Sequence, residues 1–335
     1  MTRMLSVIAV ALLAAVAARP EAQATRTLRI ASLAPSRTVW DNGLQQMRSD
    51  WQKATAGRVR GLVYPSGQQG DERTVLLKLK SGTLDGAVLV LPGLCQIDEA
   101  FNVFGIPFFY DSYDELNVVI ERLTPELRQR LLDRGFVLLG WVNAGWVRIF
   151  STKPLQTLDD LRSVKMFTSA GDDRMVQVHR RHGLHPIALA ETGILTGLTS
   201  GMIEAVPTTP TAMNFMQWYS RAPYMLDVPV APLVGATLVT RKAWDSLSEP
   251  DRTALVDAAR RLEQRMQREI PKQDEESVRV MRGRGLTLAQ AAGPEWMREG
   301  QRYADDMKAW VPDELFARAL QARDAYRAQH RPTPR

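Results

Sequence analysis

Past its first two dozen residues, the chain alternates short apolar runs with longer stretches whose apolar residues recur every three or four positions. Residues 27–33, TLRIASL, alternate as a strand, and residues 38–54 carry Trp40, Leu44, Met47 and Trp51 at helical spacing. Residues 59–64 read as a second strand. Residues 71–80 read as a helix with Val75, Leu76 and Leu79 on one face. Residues 84–91 form a third strand, so apolar that burial on both faces is expected. This order, βαβαβ, argues for a parallel sheet flanked by helices.

Residues 101–110 read as an apolar loop or short helix, residues 113–134 as one or two helices, and residues 136–142 as a strand. Residues 146–168 read as strand, turn, short helix and strand. Lys153-Pro154 breaks the first strand, and Thr157 is placed to cap a short helix whose first turn holds Asp159 and Asp160. The two strands bring Arg148 and Phe167 near one another, at strand ends where α/β proteins bind ligands. Further on, helices are expected at 171–182, 191–200 and 211–219, with strands at 187–189 and 233–240. Residues 248–282 form one long helix, started by Ser248 and expected to kink at Pro271. Two terminal helices cover 303–310 and 313–329.

Composition narrows the class. A chain of 335 residues, 45% hydrophobic and 24% charged, supplies enough core for about two soluble domains. The net charge of +6 comes from scattered Lys and Arg without a basic run, which argues against nucleic acid as a partner. Residues 1–24 combine Arg3, an apolar stretch and Ala22-Gln23-Ala24, the pattern of a cleaved export signal. The mature protein is expected in the periplasm.

Candidate chemistry is sparse. Cys95 is the only cysteine, so a disulfide within the chain and a cysteine metal cluster are excluded. The phosphate-loop, dinucleotide, serine-hydrolase and zinc-protease motifs are missing, and no cofactor is implied. His179, His182 and His185 stand three apart, but Gly183 and Pro186 break the helix and Arg180 and Arg181 repel a cation. They read as a solvated basic face, and no metal site is assigned.

The order of motifs resembles that of the DctP-type periplasmic substrate-binding proteins of TRAP (tripartite ATP-independent periplasmic) transporters, over essentially the whole mature chain. Tyr64-Pro65-Ser66-Gly67-Gln68-Gln69-Gly70-Asp71-Glu72 is similar to the family's Y-P-x-x-Q-L-G-x-E. Gly105-Ile106-Pro107-Phe108-Phe109 resembles L-P-F-L-F, and Asp159-Asp160-Leu161-Arg162-Ser163-Val164-Lys165 resembles D-D-L-K-G-L-K. Residues 197–205, GLTSGMIEA, look like A-L-Q-x-G-x-V-D-G.

The resemblance implies a bilobal α/β fold of the periplasmic-binding-protein kind, joined by crossing strands and a long helix. Its cleft would close on one small organic solute, to be delivered to membrane permease subunits driven by ion gradients. Lobe one is expected to hold 25–145 plus 232–275, and lobe two 146–231 plus 276–335 with the C-terminal helices. An exported sensor of the same fold is the alternative; an enzyme is not expected.

The family's strand after D-L-K-G-L-K carries an arginine that clamps a substrate carboxylate, and here that place is Phe167. The family's Q-E-N-P asparagine falls at Thr208. The ligand contacts expected are Arg148, Phe167, Thr208 and Trp146, with Ser36, Arg37 and Trp40 after the first strand. Either Arg148 alone holds an acid, or the ligand is atypical and lacks the usual carboxylate. Gln68 and Glu72 are expected to fix the turn and helix start instead.

Overall fold

The computed structural model describes residues 25–291 and 294–330. The expected export signal, residues 1–24, lies outside the described residues. The first half runs β1 (Arg26–Ser32), α1 (Val39–Ala54), β2 (Val59–Tyr64), α2 (Glu72–Lys80), β3 (Gly86–Val90) and α3 (Leu91–Ile97). A 3-10 segment, Glu99–Phe104, then leads to α4 (Tyr113–Asp133) and β4 (Phe136–Ser151). Next come α5 (Leu158–Arg162), β5 (Lys165–Ser169), α6 (Asp173–Arg181), β6 (His185–Leu189), α7 (Ile194–Thr199), β7 (Ala205–Thr208) and α8 (Pro210–Phe215). The chain ends with β8 (Tyr224–Thr240), α9 (Arg241–Asp245), α10 (Glu249–Arg282), β9 (Thr287–Ala289), α11 (Glu295–Lys308) and α12 (Asp313–His330).

Local chemistry sets these boundaries. Thr38, Asp71 and Ser248 cap α1, α2 and α10 by accepting from backbone N–H groups three residues on. Thr157 and Asp160 form the capping box of α5, at the place the sequence marks. Helix α10 runs unbroken through Pro271.

One sheet crosses the molecule in the order β2-β1-β3-β8-β4-β7-β5-β6, with β9 beside β8. β1 pairs in parallel with β2 and β3, and β5 with β6 and β7. β4 and β8 are antiparallel and belong to both halves. In the sequence β4 reads as two strands, parted at Gly145, which adopts φ +115°, and only the part of β8 after Pro229 and Pro232, residues 233–240, reads as a strand. The structure makes both strands continuous through irregular register: the pairing slips between Asn143 and Trp146, beside Pro232. The lobes therefore meet at a pair of continuous strands.

In lobe one, α1 and α10 cover one sheet face with Leu44, Met47, Trp51, Leu255 and Met266. Helices α2 to α4 cover the other with Leu76, Leu94 and Leu127. In lobe two, Phe150, Ile203 and Met225 lie on one side of the sheet, and Ile149, Leu161 and Trp296 on the other. One expectation needs correcting. The last helix, α12, packs on α4 of lobe one, not on lobe two: Leu315 and Ala319 enter the lobe-one core, and Arg327 binds Glu115 at 2.7 Å. Helix α11 bridges, with Tyr303 in the lobe-two core and Met307 in that of lobe one.

Candidate ligand cleft between the lobes

The β4–β8 crossing leaves a cleft in two chambers, of about 240 and 280 Å³. Pro92, Val147, Phe167, Ser169, Pro207 and Leu233 line both and mark where they join. The lobes touch around it. Gly67 abuts Thr192, Gly171 abuts Gln96 and Arg73, and Arg174 of α6 pairs with Glu99.

Of the residues expected to hold ligand, Trp40, Phe167 and Thr208 come together on the walls of the first chamber. Ser36 and Arg37 do not line it. Ser36 sits on the exposed loop with its hydroxyl 3.0 Å from Ser66 Oγ, and Arg37, at φ +66°, donates its N–H to Asp41. Arg148 and Trp146 line neither chamber. Arg148 lies across from Thr208 on β7 and is engaged by Asp227 at 3.1 Å, which holds its guanidinium out of both linings. Trp146 packs edge-on against Tyr113 at 5.2 Å.

The sequence reading missed Val147, Ser169 and Glu191 and undervalued Glu72. Glu72 starts α2, as expected, but it also reaches into the first chamber. Its Oε1 accepts the Val90 N–H at 2.6 Å, while its buried Oε2, beside Gly93, accepts no well-formed hydrogen bond. Burial pushes the Glu72 carboxyl well above the usual range, against the Val90 N–H, and Glu191 pushes it further. Burial likewise raises Glu191, against the hydrogen bond donated by Ser169. Glu72 and Glu191 are the only charged residues lining this chamber, and the rest of its wall is largely apolar.

The second chamber carries Asp172, His179 and Glu299 and no Lys or Arg. The histidines here correct another expectation. His179 and His182 are not a solvated face: α11 covers them, because it presents Tyr303 and two carboxylates to that side of α6. His179 Nδ1 lies 2.9 Å from Tyr303 Oη, and His182 sits between Glu299 at 2.7 Å and Asp306 at 3.1 Å. Burial, helped by His182, lowers His179 to about 4. His185 stays exposed. Cys95 borders this chamber, and burial pushes its thiol well up, which keeps it protonated and weakly nucleophilic. Among the described residues no group of His, Cys, Asp or Glu is placed to hold a metal ion.

Two sheet-and-helix lobes that share crossing strands and enclose a cleft between them define a ligand-binding protein of the bilobal type. Residues 30–309 match the family described as bacterial extracellular solute-binding protein, family 7, and the chain belongs to this DctP family. A solute-binding protein of Chromohalobacter salexigens is 25% identical over 218 residues, 64% of this chain and 65% of its own length. The sialic acid-binding periplasmic protein of Vibrio cholerae is 19% identical over 270 residues, 79% of this chain and 83% of its own. Among solved structures, a TRAP periplasmic solute-binding protein from Xanthobacter autotrophicus with bound β-D-galacturonate superposes with a TM-score of 0.83 at 19% identity. It covers 89% of this chain and 99% of its own. The Bordetella pertussis extracytoplasmic solute receptor binding pyroglutamic acid gives a TM-score of 0.83 at 18% identity, covering 90% and 100%. These structures confirm the fold.

Proposed function

We propose that the chain is the exported, periplasmic solute-binding component of a TRAP transporter, and that its cleft takes one small, largely apolar organic ligand without a carboxylate. The ligand would stabilise the closed lobes, and the closed form would be what a membrane permease accepts. Several relatives bind acids, which makes the ligand class the point at issue. The observation that carries the reading is the lining: both chambers lack Lys and Arg, and of the two arginines expected there Arg148 is paired with Asp227 and Arg37 lies on the exposed loop before α1. A carboxylate desolvated in such a cleft would face a penalty of several kcal/mol with no cation to offset it.

A thermal-shift screen of refolded, ligand-stripped protein tests this, with organic acids, aromatic solutes and neutral solutes in parallel. A ligand at 100 times its dissociation constant stabilises the fold by about 2.7 kcal/mol, which is readily seen. Shifts confined to non-acid solutes are expected. Shifts confined to small carboxylates would overturn the ligand class and leave the family assignment intact.

A further inference from the structure

The joint size of the two chambers bounds the ligand. An engineered apolar cavity of about 150 Å³ is enough to bind benzene. The chambers here, about 240 and 280 Å³, each exceed that. Val147, Phe167, Pro207 and Leu233 belong to both walls, so the chambers join at a neck beside Phe167. A ligand with a single ring-sized group would fill one chamber and leave the apolar wall of the other in contact with water.

The second chamber is built from regular helix faces, not from a loose seam. Trp296, Gly300, Tyr303 and Met307 recur every three or four residues along α11, and Met175 and His179 stand one turn apart on α6. Helix α11 is fastened to lobe two: Trp296 Nε1 donates to the Gln156 carbonyl at 3.0 Å, and Glu299 holds His182 at 2.7 Å. Ile149, Met166 and Leu184 supply further apolar wall.

The two carboxylates of this chamber are engaged within the protein. Asp172 caps α6 by accepting the Met175 N–H at 3.1 Å, and Glu299 is surrounded by His182, Arg162 and Arg302. His179 is different. Its Nδ1 is engaged by Tyr303 Oη at 2.9 Å, while its Nε2 has no partner among the described residues. That nitrogen is not sealed from solvent, unlike the unpartnered Thr168 hydroxyl in the same wall. Burial keeps the ring neutral at neutral pH, so it can meet a hydroxyl, amide or carbonyl but offers a carboxylate no charge.

We infer that the ligand carries two apolar, ring-sized groups, one for each chamber, joined through the neck at Phe167, with a neutral hydrogen-bonding group at the end that meets His179. This rests on the reading of the cleft as the ligand site and adds length and a polar terminus to it. The first chamber draws on Trp40 and Leu44 of lobe one and the second on Leu161 and Leu184 of lobe two, so a ligand of this length touches both lobes.

Calorimetric titration of the ligand-stripped mature chain tests this with phenol, 4-benzylphenol, diphenylmethane, benzoic acid and 4-benzylbenzoic acid. 4-Benzylphenol should bind about a hundredfold tighter than phenol, because its second ring is buried as well. Met175→Trp, which fills the second chamber, should remove most of that gap. His179→Phe should weaken 4-benzylphenol about tenfold and leave diphenylmethane unchanged. In wild-type protein with isotope-labelled histidine, 4-benzylphenol should shift the imidazole signal that His179→Phe removes. This nuclear magnetic resonance readout decides the matter if Met175→Trp does not fold. A gap below about tenfold, a gap that survives in folded Met175→Trp, or an unmoved His179 signal overturns the inference and leaves the non-acid cleft standing. The same gap and the same Met175→Trp loss, shown by the two acids alone, overturn the non-acid reading and the neutral terminus and leave the two-chamber length standing. Failure of every probe at millimolar concentration, with circular dichroism showing a folded chain, overturns the two-ring ligand.

Discussion

Asp274 ties the lobe junction together, and removing it should be costly. It lies on α10 just past Pro271, buried, and four donors converge on its carboxylate. Oδ1 accepts the Thr211 N–H at 3.1 Å and the Thr211 hydroxyl at 2.5 Å. Oδ2 accepts the Trp146 N–H at 3.1 Å and, more weakly, the Tyr113 hydroxyl at 3.4 Å. Those partners come from α8 of lobe two, the irregular stretch of β4 and α4 of lobe one. Burial raises this carboxyl, with the Thr211 and Trp146 hydrogen bonds opposing the rise. In Asp274→Ala the Trp146 and Thr211 N–H groups lose their acceptor in a buried site, at about 1–3 kcal/mol each, so a total of about 3–5 kcal/mol is expected. Asp274→Asn keeps one acceptor oxygen but turns an NH₂ toward a donor, and about 1–3 kcal/mol is expected. Urea unfolding followed by tryptophan fluorescence measures both. A loss below about 1 kcal/mol for the alanine variant would show that water replaces the carboxylate and that the junction is not held in this way.

Four further outcomes follow. Arg148→Ala should cost at most about 1 kcal/mol, since its partner Asp227 is partly exposed, and should leave ligand affinity unchanged; a large affinity loss in titration would place Arg148 in the site after all. Phe167→Arg puts a guanidinium into the cleft and should let simple organic acids bind; no gain in their binding would count against Phe167 as the determinant of ligand class. Gly300→Ala would set a Cβ 2.1 Å from the Phe108 ring and should lower stability by about 1–3 kcal/mol in thermal melts. His179 is held at about 4, below the usual 6.5, so between those values the unfolded chain binds a proton that the fold refuses. Its contribution is present above pH 6.5 and is lost as pH falls toward 4, by up to about 3 kcal/mol, and His179→Asn should flatten that part of the stability–pH curve.

The alternation of elements was readable in the sequence because the periods differ. Strands β1 to β3 and helices α1, α2 and α10 all sit where their apolar spacing and capping residues place them. The crossing strands were not readable as units, since Gly145, Pro229 and Pro232 are local signals for a break, and only pairing between β4 and β8 overrides them. The home of α12 was hidden too. Its buried contacts are Leu315 and Ala319, too few to name a partner from pattern alone.

The cleft shows the same division. Phe167, Trp40 and Thr208 were reachable through motif order and strand position. Arg148 was drawn in by its charge, but Asp227, which follows it by 79 residues in the chain, takes up that charge, and Val147 next to it lines the cleft instead. Glu191 had no signal at all, because a carboxylate in a short helical turn looks solvated until a second lobe covers it.

The most direct measurement is a calorimetric titration of D-galacturonate and D-glucuronate into ligand-stripped wild-type protein at neutral pH. A cleft lined by Glu72 and Glu191 and by no Lys or Arg predicts no binding heat from either acid. Micromolar binding of either one would contradict the account, since it would show that a cation reaches the carboxylate in a cleft lined by none.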